Sequence, residues 1–113
     1  NMLHPAQKAK VPRVATILSK VEGPVVAASD YMMAVPDQIS RWVPGGLFSW
    51  GTDGFGRSDT RGSLRRHFEV DAECITIAVL KRLADQGAMT MKDVAGAIKK
   101  LGVDPEKPAP ATA

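Results

Sequence analysis

The sequence predicts an α/β fold with helices flanking a partial, mostly parallel sheet. Two short apolar runs, Val25–Ala28 and Leu47–Trp50, are too brief for buried helices. Neither shows the strict alternation of a half-solvated strand, and such runs suit strands covered on both faces in a parallel sheet. Around them lie five segments whose apolar residues recur at helical spacing. Two strands make a marginal sheet on their own, and parallel strands joined through helices usually belong to wider sheets. The chain is therefore expected to be part of a domain, or to complete its sheet with another polypeptide.

Each element follows from its own residues. Residues 1–12 are polar, carry Pro5 and Pro12, and read as a connector. The opening "NMLHPAQKAKVP" resembles a passage between elements, so the chain is expected to be a piece of something longer. Within Val11–Lys20, Val14, Ile17 and Leu18 fall at the i, i+3, i+4 spacing of a short amphipathic helix, with Pro12 tolerated in its first turn. Gly23-Pro24 breaks the chain before the first strand. Val35, Ile39, Trp42 and Val43 then predict a second helix starting near Pro36, which leaves Tyr31, Met32 and Met33 in the strand-to-helix turn. "PGG" at 44–46 stops it.

After the second strand, Leu64 and Phe68 mark a short helix whose other face carries Arg61, Arg65 and Arg66. Asp71 is a candidate N-cap for the next segment, with Glu73 favourable in its first turn. "CITIAVL" has strand-like composition, yet Ile75, Val79 and Leu83 are spaced by four and the pattern runs on to Gly87. The period predicts a largely buried helix. Thr90 with Asp93 forms a capping-box pattern for the last helix, with Val94, Ala97, Ile98 and Leu101 on one face and Gly102 at its end. Residues 1–103 are thus read as one partial domain, and the Pro/Ala-rich residues 104–113 as a disordered tail.

Composition narrows the function classes. The chain has 113 residues, 44% hydrophobic and 24% charged, enough for a single core. A net charge of +3 without any long basic run argues against a nucleic-acid tail or a polybasic membrane segment. The single cysteine, Cys74, excludes an internal disulfide and a Cys-based zinc site, and fits a reducing, cytoplasmic setting. The apolar runs are too short to span a bilayer, and no leader pattern marks the chain for export.

The candidate site is "GTDGFGRSDTR", residues 51–61. A glycine-rich turn between a strand and a helix can cradle phosphate through backbone N–H groups. This one matches neither G-x-G-x-x-G nor the P-loop, and Asp53 and Asp59 would repel an anion. The stronger reading makes Asp53, Gly54, Phe55, Gly56, Arg57, Ser58 and Asp59 a structural or interface loop. In that reading the glycines permit positive φ in a sharp corner, Phe55 fills an apolar gap, and Ser58 or Asp59 caps the following helix. The alternative is a free-standing α/β module binding an anion or nucleotide through the loop and Arg57, Arg61, Arg65 and Arg66. His4 and His67 lack metal-ligand spacing. Cys74 reads as a small core hydrophobe. No catalytic, cofactor-binding or metal residue is assigned.

Taken together, "EGPVVAASDYM", "DQISRWVP" and "GTDGFGRSDTRGSLRRHFEVD" resemble the C-terminal region of the homodimeric, thiamine diphosphate-dependent pyruvate dehydrogenase decarboxylating components. The resemblance runs from Asn1 to about Leu83. More distantly the pattern is similar to the last domain of transketolase, a three-layer α/β/α unit of which this chain would supply the later half. The resemblance implies a cytoplasmic, homodimeric parent enzyme that decarboxylates pyruvate with thiamine diphosphate and Mg²⁺. It also implies acetyl transfer to the lipoyl group of a dihydrolipoyl acyltransferase. Neither cofactor is expected to be bound by this segment, whose implied role is structural and subunit-contacting. Trp50, where an aliphatic residue would be expected, Arg13 after Val-Pro, and Gly62-Ser63 at a helix start depart from that pattern.

Overall fold

Both apolar runs become strands. In the computed structural model, which describes Asn1–Ala113, β1 (Val25–Ala28) and β2 (Leu47–Trp50) pair in parallel, with Val25 opposite Leu47 and Ala28 opposite Trp50. They form a two-stranded sheet. Helix α1 (Arg13–Leu18) precedes it, and α3 (Arg61–His67), α4 (Ala72–Asp85) and α5 (Met91–Lys100) follow it. Helix α4 lies against β1 and α5 packs on α4. Arg82 of α4 stands 5.1 Å above the Phe48 ring of β2. The chain is α/β, with a sheet too small to be complete by itself.

The crossover between the strands differs from the single helix expected there. It is one turn, α2 (Ala34–Asp37), followed by a 3₁₀ turn over Ser40–Trp42. Pro36 sits inside α2 with no N–H to donate. The N–H groups of Ile39 and Trp42 bond three residues back, to Pro36 and Ile39, so the track tightens instead of continuing as α-helix. Gly45 and Gly46, at φ of 77° and 90°, then turn the chain into β2.

Helices α3, α4 and α5 end in one geometry. Beyond the last helical turn, the N–H groups of Glu69 and Val70, Gly87 and Ala88, and Gly102 and Val103 bond back to the carbonyls of Arg66 and Arg65, Ala84 and Leu83, and Lys99 and Ile98. This pair of bonds is a Schellman closure, which needs one left-handed residue. Gly87 and Gly102 supply it twice, and Glu69, at φ 61°, supplies it once without being glycine.

Very little of the chain is inside. Only Val43, Cys74, Ala78, Ala84 and Val94 are buried, and no side chain is fully enclosed. Seven of the eight strand residues are half-buried and Ala28 is exposed, so this chain alone does not cover the sheet on both faces. Helix α4 is not largely buried either, since Ile75, Val79 and Leu83 stay half-exposed. Met32, Met33, Val35, Ile39 and Trp42 leave an apolar surface on and before the crossover. The Cα radius of gyration is 17.3 Å, against about 13 Å for a self-contained domain of this length. The body is a slab of 54 × 34 × 20 Å. Residues 104–113 form neither helix nor strand and lie back toward the end of α3, where Lys107 Nζ donates to the Glu69 carboxylate at 2.8 Å.

Candidate functional site

The glycine-rich stretch leaves β2 and runs beside the turn that follows β1. The Thr52 N–H donates to the Tyr31 carbonyl at 2.9 Å. Its hydroxyl donates to the Asp30 carbonyl at 2.8 Å. One residue on, the Asp53 carboxylate accepts the Met33 N–H at 2.9 Å. Gly51 is what allows this stapling, because a Cβ there would overlap the Tyr31 carbonyl oxygen and stand 2.9 Å from the Met33 nitrogen. At Gly54 the backbone has φ +118°, and a Cβ would overlap the Pro110 carbonyl. The corner therefore requires glycine at 51 for space and at 54 for both space and conformation. Gly56 faces open space.

The rest of the loop differs from expectation in two places. Phe55 is 78% exposed and fills no gap within this chain. The cap of α3 is neither Ser58 nor Asp59 but Thr60, whose hydroxyl accepts the Ser63 N–H at 3.3 Å. Asp59 instead accepts the Thr60 N–H at 2.7 Å, orienting the cap rather than being it. Arg57 reaches the end of α3, its guanidinium 3.2 Å from His67 Nδ1. Partial burial, then the positive charges of Arg57 and Lys107, push the His67 imidazole below its ordinary range.

A depression of about 680 Å³ opens beside the corner, lined by Gly54–Arg57 together with Arg61, Arg65 and Phe68. None of its three arginines forms an ion pair. Asp30 and Asp59 line it as well, which offsets part of the positive field.

Two arrangements behind the loop were not foreseen. Trp50 turns its indole N–H onto the Glu69 carbonyl and tilts its ring against Phe48 at 5.3 Å. A tryptophan in place of an aliphatic residue thus ties β2 to the closure after α3. The signal was present, since a part-buried indole nitrogen needs an acceptor, but the partner lies 19 residues away. Arg66, which the sequence places with Arg61 and Arg65 on one face of α3, pairs with Asp71, contacts Glu73 at 3.2 Å and donates to the Gly102 carbonyl at 3.3 Å. It joins the end of α3, the start of α4 and the end of α5, where the helix dipole favours a cation.

Asp71 caps α4, accepting the Cys74 N–H at 2.9 Å. Burial works to raise its carboxyl, but hydrogen bonds from Cys74 and Arg66 hold it below the usual range. Burial and the neighbouring Asp71 push the Cys74 thiol up to about 12, so it stays protonated and inert at neutral pH. His4 and His67 are not brought together with other ligands, and no group of three His, Cys, Asp or Glu side chains converges on a common point. No helix is long and apolar enough to cross a membrane.

Comparison with known proteins is specific. A pyruvate dehydrogenase E1 component of Cupriavidus necator is 50% identical over 110 residues, 97% of this chain. One from Pseudomonas aeruginosa is 50% identical over 108 residues, and one from Escherichia coli 44% identical over 108 residues, each covering 95% of this chain. The chain spans about 12% of the length of each of these relatives, and the matched stretch is a C-terminal segment of the E1 enzyme. No protein-family model matches the chain.

Proposed function

We propose that this chain, a C-terminal segment of a pyruvate dehydrogenase E1 component, completes the last α/β domain of that enzyme and gives it stability and subunit contacts. The observation that carries this is the shortfall of core, with five residues of 113 buried around a two-stranded sheet. Hydrophobic burial is the main favourable term in folding, and so little of it does not offset the ordering of a chain this long. The remaining surface needs the rest of a larger polypeptide. The glycine corner then serves as a rigid bracket, holding the β2–α3 connection to the turn after β1.

The parent activity follows as a proposal from the E1 relatives. Pyruvate is decarboxylated and its acetyl unit passed to the lipoyl group of a dihydrolipoyl acyltransferase, by a cytoplasmic homodimer. Thiamine diphosphate with Mg²⁺ would supply the carbanion chemistry. The residues of this chain do not fit either group, since no set of three ligand side chains converges and the glycine loop is flanked by Asp53 and Asp59. Their proposed place is in the part of the enzyme outside this segment, which spans about 12% of the relatives' length.

The test is direct. The polypeptide captured from source cells should be several times larger than 12.1 kDa and carry thiamine-dependent pyruvate decarboxylation. Residues 1–113 expressed alone should lack that activity and fail to melt cooperatively. A native product of 12.1 kDa, or a soluble monomer with a sharp melt, sinks the reading. The cavity with its three arginines outside any ion pair favours a second reading, the anion-binding module. Salt-sensitive nucleotide binding lost in Arg57→Ala and Arg61→Ala would support that one instead.

A further inference from the structure

Residues 104–110 are held at two points, one at the end of α3 and one at the glycine corner. At the first, Lys107 places its ammonium among three oxygens: the Glu69 carboxylate at 2.8 Å, and the His67 and Pro108 carbonyls at 3.3 Å each. Those three acceptors match its three donors. The side chain is only 18% exposed, so this is a held lysine rather than a loose surface pair. At the second, the Pro110 carbonyl lies against Gly54, in the space a side chain there would occupy. Between the two attachments the segment bounds a hollow of about 200 Å³ lined by Met33, Trp50, Phe68 and Pro110.

Both anchor points belong to strained or specialised backbone. Glu69 is the non-glycine residue with positive φ, and Gly54 sits at φ +118°. Conformations of this kind cost free energy and persist where neighbouring structure holds them. Gly54 also lines the larger arginine-bearing cavity. Whatever presses on Gly54 from the Pro110 side therefore helps set the wall of that cavity.

From these contacts we propose that residues 104–110 are a strap, latched by Lys107 at Glu69 and His67, that fixes the conformation of the glycine corner and so the shape of the arginine-lined cavity beside it. With the latch closed, Pro110 holds Gly54 in its left-handed state and the corner stays rigid. With it open, residues 51–59 relax and the cavity wall moves. The inference concerns the corner's mechanics and does not depend on what the parent enzyme catalyses.

The experiment is hydrogen exchange, resolved by peptide, on the full-length enzyme. Lys107→Met keeps the aliphatic stem and removes the latch, at a point that makes no hydrogen bond to residues 51–59. Exchange in peptides over 51–59 should rise about tenfold, the change that 1.4 kcal/mol of lost protection represents, and Lys107→Arg should restore most of it. Gly54→Ala should free residues 104–110 in return, because its methyl group and Pro110 cannot both be accommodated. Lys99→Ala, on the exposed face of α5, should change neither region. Faster exchange in Lys107→Met confined to 104–110 and 67–70, with 51–59 unaltered, would overturn the strap. So would a wild-type segment 104–110 that exchanges at the unprotected rate.

Discussion

At the residue scale, side chains that join distant parts of the chain matter more here than side chains that fill a core. Trp50 replaces aliphatic bulk with an indole whose N–H satisfies the Glu69 carbonyl. Trp50→Leu should therefore destabilise the domain by about 1–3 kcal/mol, the usual cost of an unpaired part-buried acceptor. Local exchange at residues 67–71 of the full-length enzyme would measure it, and no change there would remove the indole from the account. Asp71 gives a pH prediction. Its carboxyl is held below the ordinary aspartate range, so its contribution is complete above that range and is lost as pH falls through the lower folded value. Asp71→Asn should keep the cap of α4 and flatten the acid limb of local stability below about pH 4. An unchanged acid limb would show that Arg66 does not act through that carboxylate.

At the element scale, the parts legible in the sequence are those decided by neighbours a few residues apart. Both strands run over the expected four residues, and α4 and α5 begin at the expected caps, Asp71 and Thr90. The capping box at α5 is complete, with each of Thr90 and Asp93 accepting the other's N–H. Thr90→Ala should cost about 1 kcal/mol of helix stability. Thr90→Ala with Asp93→Ala should cost less than the sum of the single changes, because the two form one reciprocal unit. Full additivity in thermal melts would contradict that. The crossover at 34–42 was not legible, because its apolar spacing fits an α-helix while Pro36 and the i to i+3 bonds divide it. The candidate loop was read in part. Its need for tight backbone is visible in the glycines, but Thr60 takes the cap, and the hydrogen-bond partners that staple Thr52 and Asp53 lie about twenty residues back.

At the scale of the whole molecule, the slab shape and the thin core mean that exposure here is not exposure in the enzyme. Ile39 and Trp42 are 43% and 39% exposed, which for a finished surface would make substitution mild. As part of a larger domain they should instead be buried against the rest of the enzyme. Ile39→Asp and Trp42→Asp are then expected to destabilise the full-length protein by several kcal/mol, in the range of a charge placed in a core, while making the isolated span more soluble. Thermal melts of the former and light scattering of the latter give opposite signs if this holds. A mild effect in the full-length enzyme would mean that the crossover surface faces solvent.

The sequence by itself determined the local geometry: two parallel-type strands, capped helices, a corner that demands glycine, and too few strands to close a sheet. These follow from the period of apolar residues, cap chemistry and φ restrictions, all of which act over a few positions. Only the tertiary structure decided which residues carry the long connections. Trp50 to Glu69, Arg66 to Gly102, Lys107 to His67 and Pro110 to Gly54 span 19 to 56 positions. No periodic pattern encodes such pairs, because a hydrogen bond between distant residues depends on where two elements come to rest and not on the spacing within either.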